Sequence, residues 1–191
     1  DIPCEAATVG EALRVAVNLS PVQLSRPGLP QRVMSVLAKA GLSPAWLELE
    51  VTEGALMENT SSTGAALQAL HDQGIKIALD DFGTGYSSLA YLTRMPISNI
   101  KIDRCFVSGL LDGGEREAIV RAILAMANSL NMRVTAEGVE TFAQARALKA
   151  MGCNDLQGFY FSRPVAAEAI APMISRRWMV SDRDVMVDRA A

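Results

Sequence analysis

Apolar runs in this chain repeatedly end on a carboxylate, an amide or a lysine. VAVNLS does so at Asn18, LELEVTE at Glu50 and Glu53, IALDDFGTG at Asp80 and Asp81, NIKID at Lys101, VTAEGVE at Glu137 and LQGFYF at Gln157. A strand buried on both faces reads as a continuous Val/Ile/Leu run, because helices cover both sides of a parallel sheet. A polar residue set at the end of each run therefore predicts side chains converging at one end of such a sheet. In barrel enzymes that end carries the active site.

Strands are predicted near 15–18, 47–51, 76–80, 99–103, 133–137 and 155–159. Helical patterns lie between them. Val33, Val36, Leu37 and Ala40 repeat at helical spacing and stop at Gly41, Ala66, Leu67 and Leu70 stop at Gly74, and Phe142, Ala145 and Leu148 stop at Gly152. Ile119, Ile123, Met126 and Leu130 form a further stripe, and Thr141 is placed as an N-cap. Strict strand–helix alternation is the pattern of parallel βα architecture, with helices outside a barrel or on the two faces of an open sheet.

The fold class expected is α/β, with a parallel sheet that either curls toward a barrel or stays open. A closed barrel has eight strands, whereas six are predicted here, and the opening DIPCEAATVGEAL reads as the end of a helix. Residues 176–191, RRWMVSDRDVMVDRAA, lose both periodicities and read as a tail or linker.

Composition narrows the chemistry. Half of the 191 residues are apolar, enough for one sizeable core, and the formal net charge of -3 comes with scattered Lys and Arg, so no basic stripe supports a nucleic-acid polymer. Cys4, Cys105 and Cys153 are odd in number and far apart, which speaks against a disulfide framework or a zinc site. No leader pattern or long apolar run is present in the segment, and a cytoplasmic location without a membrane segment is the expectation. His71 is the only histidine and reads as a surface or boundary residue, which argues against triads that need an imidazole base.

What remains is oxygen chemistry. Asp80 and Asp81 are adjacent, and neighbours on a strand normally point to opposite faces, but a glycine-bearing turn at the strand end could bring both to one cation. Gly83 and Gly85 permit positive φ or close backbone approach. Glu50 and Glu53 straddle a strand end, where one could reach the site while the other anchors a neighbouring loop. Asn18 offers a neutral amide oxygen. Lys101, between Ile100 and Ile102, points either into the site or to Asp103 or another structural carboxylate. Glu137 closes its strand, and Glu140 follows. Oxygen donors without His or Cys suit Mg2+ or Mn2+, and two such ions about 3.5 to 4 Å apart are a usual device for in-line attack on a phosphodiester. Metal binding is then expected to stabilise the fold.

The ordered set VNLS, ELEVTE, ALDDFGTGYSSL, IKIDRCFV, TAEGVE and LQGFYFSRP, over about residues 12 to 175, closely resembles the EAL domain family of bacterial cyclic di-GMP phosphodiesterases. The resemblance implies a modified (β/α)8 TIM-like barrel whose first two strands are not in this chain, with residues 1–175 its carboxyl-terminal two thirds, and hydrolysis of cyclic di-GMP to linear pGpG with two Mg2+ or Mn2+ ions. It implies metal ligation by Asn18, Glu50, Asp80, Asp81 and Glu137, with Asp80 shared by both ions. Lys101 matches the lysine that contacts the catalytic water, and Gln157 a glutamine near that site. Glu53 matches the glutamate that steadies the loop from Phe82 to Leu89, which in the family contributes to dimerisation and control. Glu140 and Asp103 fall in matching motifs, as do Gly83 and Gly85. A homodimer and fusion to sensory or GGDEF domains are further implications. The name-giving tripeptide of the family lies on an earlier strand; Glu11-Ala12-Leu13 stands only seven residues before Asn18 and is read as a coincidence. Three functions are weighed: the phosphodiesterase, a noncatalytic module that binds cyclic di-GMP or a protein partner, and, from fold alone, an enolase-type barrel.

Overall fold

A computed structural model describes residues 13–57, 60–85 and 92–174. Six strands form one sheet in sequential order: β1 (Val15–Asn18), β2 (Leu47–Thr52), β3 (Lys76–Phe82), β4 (Asn99–Ile102), β5 (Arg133–Ala136) and β6 (Asp155–Leu156). Every neighbouring pair is parallel. The helices are α1 (Pro21–Leu24), α2 (Leu29–Ala40), α3 (Glu53–Met57), α4 (Thr60–Asp72), α5 (Arg104–Val107), α6 (Glu115–Ser129), α7 (Phe142–Ala150) and α8 (Ala171–Ile174). The expected βα alternation is thus present as a partial barrel wall.

Alternation along the strands sorts the residues. Leu49, Val51, Ile77, Leu79, Ile100, Ile102, Val134 and Ala136 are buried and join the apolar core with Leu67 and Leu70 of α4, Val120, Ile123 and Ala127 of α6, and Ala145 and Leu148 of α7. The other strand face carries Glu48, Glu50, Asn99, Lys101 and Thr135, which are buried although polar. Parallel sheets covered by crossover helices bury both faces, which accounts for the long apolar stretches in the sequence.

Two helix faces differ from the predicted stripes. On α6 the core face is Val120, Ile123, Leu124 and Ala127, while Ile119 is 37% exposed, so the buried stripe sits one residue later than the run from Ile119 to Leu130 suggests. On α2, Val36 is 65% exposed and Leu29 and Leu37 carry the burial. Apolar spacing gives the helix but not which edge of a broad stripe meets the sheet. Helix ends agree with their punctuation: Gly41 caps α2 at φ 66°, and Thr141 forms a capping box with Gln144 at the start of α7.

At the β6 end, backbones approach closely. The Gln157 N–H donates to Ala136 O, Val139 N–H donates to Gln157 O, and Tyr160 N–H donates to Val139 O. Gly158 sits at this crossing. Residues 175–191 and Cys4, Glu11 and Ala12 lie outside the described residues, as does the loop from Tyr86 to Tyr91. Among the described residues no helix is long and apolar enough to cross a membrane.

Candidate active site

The predicted polar residues lie at the carboxyl ends of the strands. Asn18 is the last residue of β1 and the register partner of Glu50 on β2. Asp80 pairs in register with Thr52, and Lys101 with Thr135. Glu137 follows β5 directly, its N–H bonded to Ile102 O, and Gln157 follows β6.

Asp80 and Asp81 reach the same mouth through a bulge. Leu79 pairs with Ile100 and Phe82 with Ile102, so β3 spends three steps where β4 spends two. Asp81 takes the left-handed conformation at φ 54°, and its N–H donates to Asp80 Oδ1 at 3.1 Å. The extra residue returns Phe82 to the core, 5% exposed, and leaves two consecutive carboxylates on the open side. The sequence reading placed this effect at a strand-end turn; the turn follows, with Thr84 donating to Asp81 O at 2.8 Å.

At the centre stands Lys101. Its ammonium is 2.7 Å from Glu50 Oε1, 3.0 Å from Asp80 Oδ1 and 2.6 Å from Glu137 Oε1, with a side chain only 5% exposed. Its ion-pair partners are thus Glu50, Asp80 and Glu137 at the mouth, and not Asp103. Burial alone would depress its pKa, but the hydrogen bonds it donates to Glu137 and Glu50, the Glu137 charge and the bond to Asp80 outweigh that and hold it above the ordinary 10.5. It stays charged throughout the neutral range.

The carboxylates respond to crowding. Burial pushes Glu137 above the usual range, Asp80 and Glu50 add to that, and Lys101 opposes it. Asp81 is raised by burial first and then by the charges of Asp80 and Asp103. Four carboxylates around one ammonium leave the mouth strongly negative, which favours added cations. Asp80, Asp81 and Glu137 each offer an oxygen, and these lie within 4.8 Å of one another. Hard oxygen donors at that separation fit Mg2+, Mn2+ or Ca2+. Glu50 is turned onto Lys101 and lies outside that trio, and Asn18 is exposed beside it.

The supporting residues separate into distinct tasks. Glu53 Oε1 accepts from the Gly83 N–H at 2.9 Å, which ties the start of α3 to the turn after Asp81. Gly83 has φ 94°, whereas Gly85 serves by close approach: a Cβ there would meet Glu53 Oε2 at 2.8 Å. The remainder of the Phe82 to Leu89 loop, from Tyr86 on, lies outside the described residues. Asp103 caps α5 through the Cys105 N–H at 2.8 Å. Glu140 is exposed, its N–H bonded to Gln144 Oε1, and the Gln157 side chain is also exposed.

Beside this cap, burial and then the hydrogen bond and charge of Asp103 push the Cys105 thiol up to about 11, from an ordinary 9.0. At pH 8 the thiolate fraction is then roughly a hundredfold smaller, and higher nucleophilicity recovers roughly tenfold. Iodoacetamide should alkylate Cys105 about tenfold more slowly in the folded chain than in urea, with Cys105→Ser identifying the peak. Equal rates in the two states would contradict the assigned environment.

Sequence reasoning missed a buried layer beneath the mouth. Asn99 Nδ2 donates to Glu48 Oε1 at 3.0 Å and to Thr135 Oγ1 at 3.1 Å. The available signal was spacing, since Glu48, Asn99 and Thr135 each stand two residues before Glu50, Lys101 and Glu137.

Comparison with known proteins gives the same picture. Residues 4–164 match the EAL domain. The bifunctional diguanylate cyclase/cyclic di-GMP phosphodiesterase MucR of Pseudomonas aeruginosa is 45% identical over 161 residues, which are 84% of this chain and 24% of MucR. The chain therefore spans about a quarter of that relative's length. A structure of the PaMucR phosphodiesterase in its c-di-GMP complex aligns with TM-score 0.78 and 46% identity over 82% of this chain and 64% of that one. The EAL domain of Mycobacterium smegmatis DcpA aligns with TM-score 0.82 and 36% identity, covering 89% of this chain and 76% of that one. Klebsiella pneumoniae BlrP1, in a manganese/cy-diGMP complex, aligns with TM-score 0.74 and 38% identity over 79% of this chain and 39% of that one. With the family match covering residues 4–164 and solved relatives aligning over more than four fifths of it, the chain belongs to the EAL domain family.

Proposed function

We propose that this chain supplies most of a divalent-metal site that hydrolyses cyclic di-GMP to linear pGpG. The observation that carries this is the Lys101 ammonium held by Glu50, Asp80 and Glu137, with Asp81 beside them, at one end of a parallel sheet. Relatives named as cyclic di-GMP phosphodiesterases support the substrate, and a neighbour with manganese and cy-diGMP supports the cation class.

Asp80, Asp81 and Glu137, joined by Glu50 and Asn18, would hold Mg2+ or Mn2+. When bound, such ions supply Lewis acidity at the phosphoryl oxygens and an acidified water. The Lys101 ammonium would donate hydrogen bonds to the attacking oxygen or to charge developing on phosphorus. Glu53 holds the Gly83 turn, and Asp103 fixes the start of α5 next to Asp81. Gln157 stands at the rim, where an amide can meet the substrate.

Residues 1–175 would form part of a barrel completed by strands outside this chain, in a cytoplasmic protein that carries further signalling domains and dimerises. A second reading, a noncatalytic module that binds the nucleotide, is favoured by one observation: all four β1 residues are exposed, and among the described residues no strand pairs with the outer edge that carries Asn18. Cyclic di-GMP incubated with the full-length protein and Mn2+, followed by chromatography, separates them. Formation of pGpG that falls at least a hundredfold in Glu50→Gln supports hydrolysis; binding without turnover supports the module.

A further inference from the structure

Beneath the mouth, three polar side chains bridge three strands. Asn99 on β4 donates one amide hydrogen to Glu48 on β2 at 3.0 Å and the other to Thr135 on β5 at 3.1 Å. The Thr135 hydroxyl lies 3.4 Å from Asn99 Oδ1 and can donate back. All three are buried, at 8%, 5% and 9% exposure, and the second oxygen of Glu48 is 3.4 Å from Arg14 Nη1. Buried polar groups without partners cost about 1–3 kcal/mol each, so a fully bonded set holds its geometry firmly.

The position of this layer sets its meaning. β3 runs between β2 and β4, yet the Glu48–Asn99 bond passes across it. It can do so because the β3 residue in register with Asn99 is Ala78, fully buried, whose methyl leaves the passage open. Side chains two apart on a strand share a face. Glu48, Asn99 and Thr135 therefore stand one level below Glu50, Lys101 and Glu137, each on the same strand as the residue above it.

We propose that Glu48, Asn99 and Thr135 are positioning residues that set the spacing of Glu50, Lys101 and Glu137 for cation binding. The proposal rests on the metal-site reading above. Lys101 can touch three carboxylates only if β2, β4 and β5 hold fixed offsets at the mouth, and backbone ladders fix neighbours but not the distance across β3. The Asn99 amide spans that distance directly. Thr135 then fixes the strand that delivers Glu137.

The test is Mn2+ affinity of the full-length protein, read by EPR of the free ion and measured well below the melting temperature of each variant. Thr135→Val keeps shape and removes the hydroxyl, Thr135→Ser keeps the hydroxyl, and Asn99→Leu removes both bonds. We expect about tenfold weaker Mn2+ binding in Thr135→Val and Asn99→Leu, and near wild-type binding in Thr135→Ser. If Asn99→Leu does not fold, the two Thr135 variants decide. Wild-type binding with unchanged affinity in Thr135→Val overturns the positioning role, as does equal weakening in Thr135→Ser. Absence of Mn2+ binding by the unmodified full-length protein overturns the metal-site reading itself and the proposal with it.

Discussion

Replacing Lys101 with methionine should destabilise the metal-free chain by about 3–5 kcal/mol, the usual cost of breaking a buried ion pair from one side. The Lys101 side chain is 5% exposed and its ammonium is the shared partner of Glu50, Asp80 and Glu137. Without it, those carboxylates face one another with Asp81 alongside and no countercharge. Burial, with help from neighbouring carboxylates, already raises Glu137 and Asp81 in the presence of the lysine. Urea denaturation in EDTA measures the loss, and Mn2+ should restore part of it, because a divalent ion replaces the missing charge. An unchanged midpoint in EDTA would mean that the ammonium does not neutralise the cluster. In the full-length protein the same substitution should abolish turnover even where Mn2+ restores the fold, since the hydrogen-bond donor is gone.

Gly158→Ala should be at least as damaging, through packing and not through charge. A Cβ at Gly158 would collide with Val139 O and N and lie 2.7 Å from Val139 C. All three are backbone atoms, and the N–H and the O make the bonds joining Val139 to Gln157 and Tyr160. They cannot swing aside as a side chain would, so the substitution must break this corner, at a cost above about 4 kcal/mol. Glu137 lies two residues before Val139, so the carboxylate is displaced along with the corner. Thermal denaturation of Gly158→Ala beside Gly152→Ala is the check. Gly152 has φ 90° and nothing within 4 Å of a Cβ, so its alanine variant carries conformational strain alone. A Gly158→Ala protein as stable as the wild type would contradict the close approach.

The strands were legible because burial on both faces leaves an unambiguous apolar run, and because each run stops at a residue of different chemistry. Asn18, Glu50, Asp80, Lys101 and Glu137 were each visible as the polar end of such a run. The convergence of Asp80 and Asp81 was legible only as a possibility, since the bulge depends on Asp81 adopting φ 54°, which no spacing rule encodes. The same limit hid which edge of α6 is buried: Ile119 and Val120 are equally apolar, and only the tilt of the helix on the sheet chooses between them. The Glu48–Asn99–Thr135 layer was hidden for a different reason. Its members come from three strands, and what joins them is the small side chain of Ala78 on a fourth. The role of Asp103 is also a product of three dimensions, since its carboxyl caps α5 while its charge acts on Asp81.

The claim on which the account rests is that these acidic side chains gather around divalent ions at one mouth of the sheet. Crystals of the full-length protein grown with Mn2+ and measured at the manganese absorption edge test it directly. The account predicts anomalous density among Asp80, Asp81, Glu137 and Glu50, and its loss in Asp80→Asn. Strong manganese peaks confined to other surfaces, or none at the saturating ion, would contradict it.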